Sequence, residues 1–246
     1  MSDLYNVLLK SQNIKTGIAA PLIFSVEGLR KVIVASHELQ EPVIVRVDPK
    51  YIDIDDVSFW RQEYCHNYPL AKCFIAVENI GGFDQAAATI MKEVDCISLS
   101  EDVKDENEIA RIHEICKMAS ILLERTADLN EEADNADIVR FKGFELTDEC
   151  VEKVKEKTAE NKVFYAVNDF PMNKGDAPKV KELGLNKFDI FETASDRTME
   201  KLDEMVKADD NYTDRFYMIR TVDTLLRNYT AAIKEKMYYF GQFVLR

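Results

Sequence analysis

The sequence is poor in two residues that active sites often need: 246 positions hold only 3 His and 8 Gly. Glycine is thus under half of its usual share of about 7 %, so glycine-rich loops that cradle phosphate have little material. With three histidines, a three-His zinc site exists only if all of them converge. The five cysteines, Cys65, Cys73, Cys96, Cys116 and Cys150, are odd in number, widely spaced and free of any C-x-x-C pair. That argues against a disulfide framework and against a zinc knuckle. Positive charge is in deficit as well, with 32 Lys+Arg against 45 Asp+Glu, a net −13 and a pI near 4.8. Such a surface repels phosphate backbones and anionic lipid, so neither nucleic acid nor a membrane is expected as a partner. The densest basic run, Lys153, Lys155 and Lys157, alternates with Glu152 and Glu156 and reads as a solvated helix face. No stretch approaches the roughly 20 apolar residues of a membrane span. The opening MSDLYNVLLKSQNIK lacks a signal-type apolar core, so a cytoplasmic location is expected.

Hydrophobic residues make up 46 % of the chain and charged ones 31 %, the balance of a folded globular protein. Short apolar runs alternate with amphipathic stretches along the whole length. The runs are Gly17–Phe24, Pro42–Asp48, Cys73–Asn79, Cys96–Ser100, Ser120–Thr126, Asp137–Gly143, Val163–Asp169 and Lys187–Thr193. Each is nearly continuous, as strands covered on both faces of a parallel sheet are. Helical periodicity is read over Val26–Leu39, Ile54–Tyr64, Phe83–Val94, Glu106–Ala119, Thr147–Glu160, Asp176–Leu183 and Thr198–Ala208. Only the fifth connection, Ala127–Ala136, is too short and acidic for a helix. About eight strand–helix units in 246 residues predict a single-domain (β/α)8 barrel, a TIM barrel, over residues 1–246. A long extra helix is expected at about 214–240, its apolar stripe running from Phe216 to Phe240. That stripe packs on its own barrel or, with Tyr217, Tyr229, Tyr238 and Tyr239, forms a homodimer contact.

Three segments carry a resemblance: VEGLRKVIVASHELQEPVIV within Ala20–Val45, VKELGLNKFDI at Val180–Ile190, and the tail TDRFYMIRTVDTLLRNYTAAIKEKMYYFGQ with Phe240-Gly241. On them the chain resembles the class II, zinc-dependent ketose-bisphosphate aldolases, nearly from end to end. The resemblance implies a barrel, carbohydrate metabolism and an aldehyde-lyase ancestry. The family's His-x-Asp-His-Gly box reads here Ala76-Val77-Glu78-Asn79-Ile80, which keeps a carboxylate at Glu78 and puts Asn79 at the zinc ligand. The Glu-x-Glu pair reads Leu122-Leu123-Glu124. The two later His segments read Arg140-Phe141-Lys142-Gly143-Phe144 and Ala166-Val167-Asn168-Asp169-Phe170, and the last box reads Asp189-Ile190-Phe191-Glu192-Thr193. His37, His66 and His113 all fall in or beside predicted helices, away from strand ends where barrel sites form. The expectation is therefore a divergent member without zinc, cofactor or metal ligands, a pseudoenzyme that binds a small polar or anionic, sugar-phosphate-like molecule; a metal-free lyase or isomerase and a true ketose-bisphosphate aldolase are the alternatives.

Charged residues inside the apolar runs carry the remaining signal, because a lone buried charge is costly and has to pair or face a wet cleft. Arg46, Arg140, Asn79, Asn168 and Asp189 are the candidate binding residues. Glu78, Glu124 and Lys142 are the candidate catalytic ones for a metal-free lyase or isomerase. Arg140 and Lys142 share strand parity; on an inward face Lys142 would be a Schiff-base amine with a pKa lowered by Arg140. The same cluster also fits an ion-pair network that closes the barrel mouth, and a mouth filled by Phe141, Phe144, Phe170 and Phe191 fits an interaction protein.

Overall fold

The computed structural model describes residues 2–131, 133–159, 163–167, 177–190, 230–231, 233–235 and 237. Within them, eight parallel strands close into a barrel in chain order, with β8 returning to β1. The strands are β1 (Ile18–Ile23), β2 (Pro42–Val47), β3 (Lys72–Ile80), β4 (Cys96–Leu99), β5 (Leu122–Ala127), β6 (Ile138–Phe141), β7 (Phe164–Val167) and β8 (Lys187–Ile190). The helices are α1 (Asp3–Ile14), α2 (Val26–Leu39), α3 (Ile54–Asn67), α4 (Phe83–Ile90), α5 (Glu106–Met118), α6 (Asp148–Ala159) and α7 (Ala177–Glu182). The expected (β/α)8 barrel is thus the observed fold. The β5–β6 connection carries no helix among its described residues, as its acidic composition predicts.

The caps explain where helices begin. Asp105 accepts the Asn107 amide at 2.9 Å at the start of α5, and Ser25 accepts that of Gly28 at 3.1 Å at the start of α2. Along α2, Leu29, Val32, Ile33 and Ser36 recur at helical spacing and are all fully buried. Leu29, Val32 and Ile33 belong to the outer layer of core that glues helices to the barrel wall.

One element was not anticipated. The polar N-terminal segment forms α1, capped by Ser2, and plants Leu4 and Leu8 in the barrel's inner core. Its signal is only the i, i+4 pair of leucines, with Tyr5 edge-on to Phe164 at 5.3 Å. Of the expected C-terminal helix, the positions described between 230 and 237 are helical, and Ile233 and Met237 join the outer core. The rest of that helix lies outside the described residues.

Gly17 enters β1 where a methyl group would overlap the ring of Phe188, which is itself buried. Gly17→Ala is expected to cost about 1–3 kcal/mol through forced repacking of that ring. Urea unfolding measures it, and a midpoint equal to wild type would show that the ring moves freely.

Candidate functional site

Inward-facing positions of the barrel form two zones. Towards the N-terminal end they are apolar: Ile18, Ile44, Phe74, Leu122, Ile138 and Phe164 meet Leu4 and Leu8 of α1. One step further along the strands, Ala20, Ala76 and Ala166 are small and fully buried. Small side chains on β1, β3 and β7 leave room for long ones on the neighbouring strands and one step further along β3. Arg46 (β2), Glu78 (β3), Glu124 (β5), Arg140 (β6), Lys187 and Asp189 (β8) fill that room.

These six side chains are three cations and three anions, none more than 6 % exposed. Arg140 is the hub. Its Nη2 lies 2.8 Å from Glu78 Oε1 and its Nη1 3.0 Å from Glu78 Oε2, a two-pronged clamp. It also pairs with Glu124, and its Nε lies 2.6 Å from Asp189 Oδ2. Arg46 Nε donates to Glu78 Oε1 at 2.7 Å and Nη1 stands 3.5 Å from Asp189. Lys187 pairs with Glu124 and stands 3.1 Å from Asp189 Oδ1.

The protonation states follow from this closure. Burial alone would push the Glu78 carboxyl up, but Arg140, Arg46 and Lys187 outweigh it and hold it well below the usual carboxylate range. Burial opposes the charge on Arg140, yet Asp189, Glu124 and Glu78 raise its pKa well above the ordinary value. Lys187 behaves likewise: burial lowers its pKa, Asp189 and Glu124 more than compensate, and the amine stays protonated.

Above the network the barrel mouth opens. A cavity of about 390 Å³ has Arg46, Glu78 and Arg140 on its wall, with Asp48, Asn79 and Tyr51 higher up. Asn79 sits where the β3–β4 register shifts, at φ 59°, a left-handed conformation that asparagine tolerates. The bulge aims its amide across to Asp48 Oδ2 at 2.7 Å. A second cavity of about 390 Å³ adjoins the first, sharing Leu99, Glu101 and Thr126 with it.

Chain-sequence comparison finds no matching family model and no matching curated protein. Solved structures do match. The chain superposes on the YdjI aldolase of Escherichia coli K12 with a TM-score of 0.76 at 15 % identity, covering 98 % of this chain and 97 % of that one. A structure from Coccidioides immitis assigned as a fructose-1,6-biphosphate aldolase gives 0.73 at 14 % identity, covering 96 % and 93 %. The barrel is aldolase-like in fold. Identities this low establish the architecture and leave the chemistry to the residues.

Of the residues singled out from sequence, Arg46, Glu78, Glu124, Arg140 and Asp189 converge inside the aldolase-like barrel, and Asn79 stands at its rim. Asn168 lies outside the described residues. Lys142 does not join them: β6 ends at Phe141, so strand parity no longer applies one residue later. Its ammonium is exposed and pairs with Glu101 at 2.5 Å. That hydrogen bond raises its pKa, the reverse of what an amine nucleophile requires. Phe141 and Phe144 do not fill the mouth either. Both belong to the outer core, where Phe141 stacks on Tyr165 at 5.2 Å; Phe170 and Phe191 lie outside the described residues. Lys187 is the member that sequence reading missed, although it precedes Asp189 by two positions and so shares its inward face.

Zinc, the metal implied by the resemblance, does not fit the described residues. His37 on α2 accepts the Leu70 amide at 3.2 Å, His66 is on α3, and His113 on α5 stands 3.3 Å from Asp137. Glu78, Glu124 and Asp189 do bring one oxygen each within 4.8 Å of one another. Every one of these carboxylates already faces Arg or Lys, so a divalent cation there would meet three fixed positive charges.

Proposed function

We propose that this chain is a divergent aldolase-like barrel of carbohydrate metabolism that binds a polar small molecule at its mouth and does not carry out zinc-dependent aldol cleavage. The observation behind the reading is the clamp of Arg46 and Arg140 on Glu78. A carboxylate held this far below neutral pH is a poor proton carrier, because a general acid or base works best with a pKa near the operating pH. Lys187, held charged between two carboxylates, is equally unsuited to attack a carbonyl. The side chains that a lyase would need are committed to ion pairs, while among the described residues the cavity above them is open to solvent.

The test is metal analysis joined to thermal unfolding. The purified protein is expected to carry substoichiometric zinc, and neither added zinc nor EDTA is expected to move the melting temperature. A zinc-dependent rise in melting temperature that disappears in Glu78→Gln would overturn the reading. So would cleavage of a ketose bisphosphate that scales with bound zinc.

A further inference from the structure

We infer that the mouth cavity takes an uncharged polyhydroxy compound, a sugar or polyol without phosphate. This rests on the ligand-binding reading above and narrows its ligand class. The case begins with the supply of cations. The guanidinium groups of Arg46 and Arg140 reach the cavity wall, but both are turned to Glu78 and Asp189 behind it. Lys142 is engaged by Glu101, the acid shared between the two adjoining cavities. The six-membered network is neutral in sum, so Asp48 gives the upper wall a negative bias. Lys50 stands over the Tyr51 ring, its Nζ 5.4 Å from the centroid, so among the described residues of this wall a phosphate, which brings charge and acceptors but almost no donors, meets no cation that is not already engaged.

Hydroxyl groups meet the opposite situation. Asp48 accepts the Lys50 amide at 2.9 Å and the Asn79 amide at 2.7 Å, which leaves about two of the four lone-pair sites of a carboxylate. Asn79 spends one side-chain N–H on Asp48 and is exposed at the rim, so its amide can offer a hydroxyl both an acceptor and a second donor. Tyr51 and Thr126 add hydroxyls that both donate and accept. The wall is therefore rich in acceptors with a few adaptable donors, the complement of a row of hydroxyls.

The apolar part of the wall points the same way. Phe24 and Tyr51 meet edge to face, with ring centroids 5.2 Å apart, and both line the cavity. Tyr51 is 54 % exposed, which leaves ring surface available at the mouth. An aromatic face packs against the C–H face of a sugar while neighbouring carboxylate and amide groups take its hydroxyls. Free sugar and the end of a glycan chain present this chemistry equally, and the second cavity would extend the cleft for a longer chain.

Saturation-transfer NMR and calorimetry decide it, on the intact chain, with four probes: hexoses and hexitols, a short neutral oligosaccharide, the same hexoses as monophosphates, and an amino sugar. Binding of the neutral compounds is expected, with at least tenfold weaker affinity in Tyr51→Ala and in Asp48→Asn at unchanged melting temperature. A stronger signal from the oligosaccharide than from the hexose would assign the site to a glycan end and still support the inference. Preference for the monophosphates, with Asp48→Asn binding them more tightly, would overturn the uncharged ligand while leaving the ligand-binding barrel standing. Preference for the amino sugar would do the same. Binding of none of the four would remove both readings.

Discussion

Arg140→Met is expected to lower the unfolding free energy by about 3–5 kcal/mol, the range seen when one partner of a buried ion pair is removed. The substitution keeps volume and an unbranched stem, so packing loss is small and the effect reports charge. Without Arg140, Glu78, Glu124 and Asp189 are left with Arg46 and Lys187. One negative charge is then uncompensated at the barrel centre, where water has little access. Urea unfolding of wild type and variant measures the loss. A difference under about 1 kcal/mol, the size of an ordinary surface change, would mean that water or a proton replaces the guanidinium at little cost. Lys142→Met is the matched control: its pair with Glu101 is solvent-exposed, and no change in the unfolding midpoint is expected.

A cost of that size on removal does not mean that the network is the most stable filling. Well-packed hydrophobic side chains in place of a buried ion network are often neutral or better for stability. Ala20, Ala76 and Ala166 sharpen the point, since Val or Leu at those positions would be the usual layer of a barrel interior. The sequence instead keeps three small residues and six charged ones. The arrangement specifies which side chains stand under the mouth, and it supplies the polar floor on which the cavity rests.

Much of this was legible in the residues, and the gaps have physical causes. Continuous apolar runs such as PVIVRV gave the strands, because parallel strands are buried on both faces and need no alternation; all six residues of β2 are buried. Charges inside those runs gave Arg46, Glu78, Glu124 and Arg140, since burial makes an isolated charge untenable, and the family resemblance added Asp189. Lys187 escaped because it opens its strand directly after a turn, where a lysine ordinarily faces solvent. Lys142 was misplaced for the converse reason: the period of two holds only while the strand lasts, and β6 stops at Phe141, with Gly143 at φ 62° turning the chain away. The α1 plug was hidden because its buried face is only Leu4, Leu8 and Ser11 in an otherwise polar dozen. What no periodicity encodes is pairing across the barrel: the Arg140–Glu78 clamp spans 62 positions.

The network also sets the pH range of the fold, and the two limits have opposite origins. Glu78 has a folded pKa well below its unfolded value of about 4.3. Its contribution is therefore complete above about pH 4.3 and is lost as pH falls towards the folded value. Lys187 has a folded pKa above its unfolded value of about 10.4. Its contribution is complete below about pH 10.4 and is lost as pH rises through the folded value. Stability should thus hold between these limits and fall on both sides, the acid limb steepened by up to about 1.4 kcal/mol per pH unit for the one proton on Glu78. In Glu78→Gln the whole curve drops, but that proton no longer binds, so the acid limb is shallower while the alkaline limb keeps its slope. Urea midpoints from about pH 3 to pH 11 for both proteins measure this. Identical acid slopes would show that Glu78 is not held charged by the two arginines, and the clamp on which the proposed function rests would have to be given up.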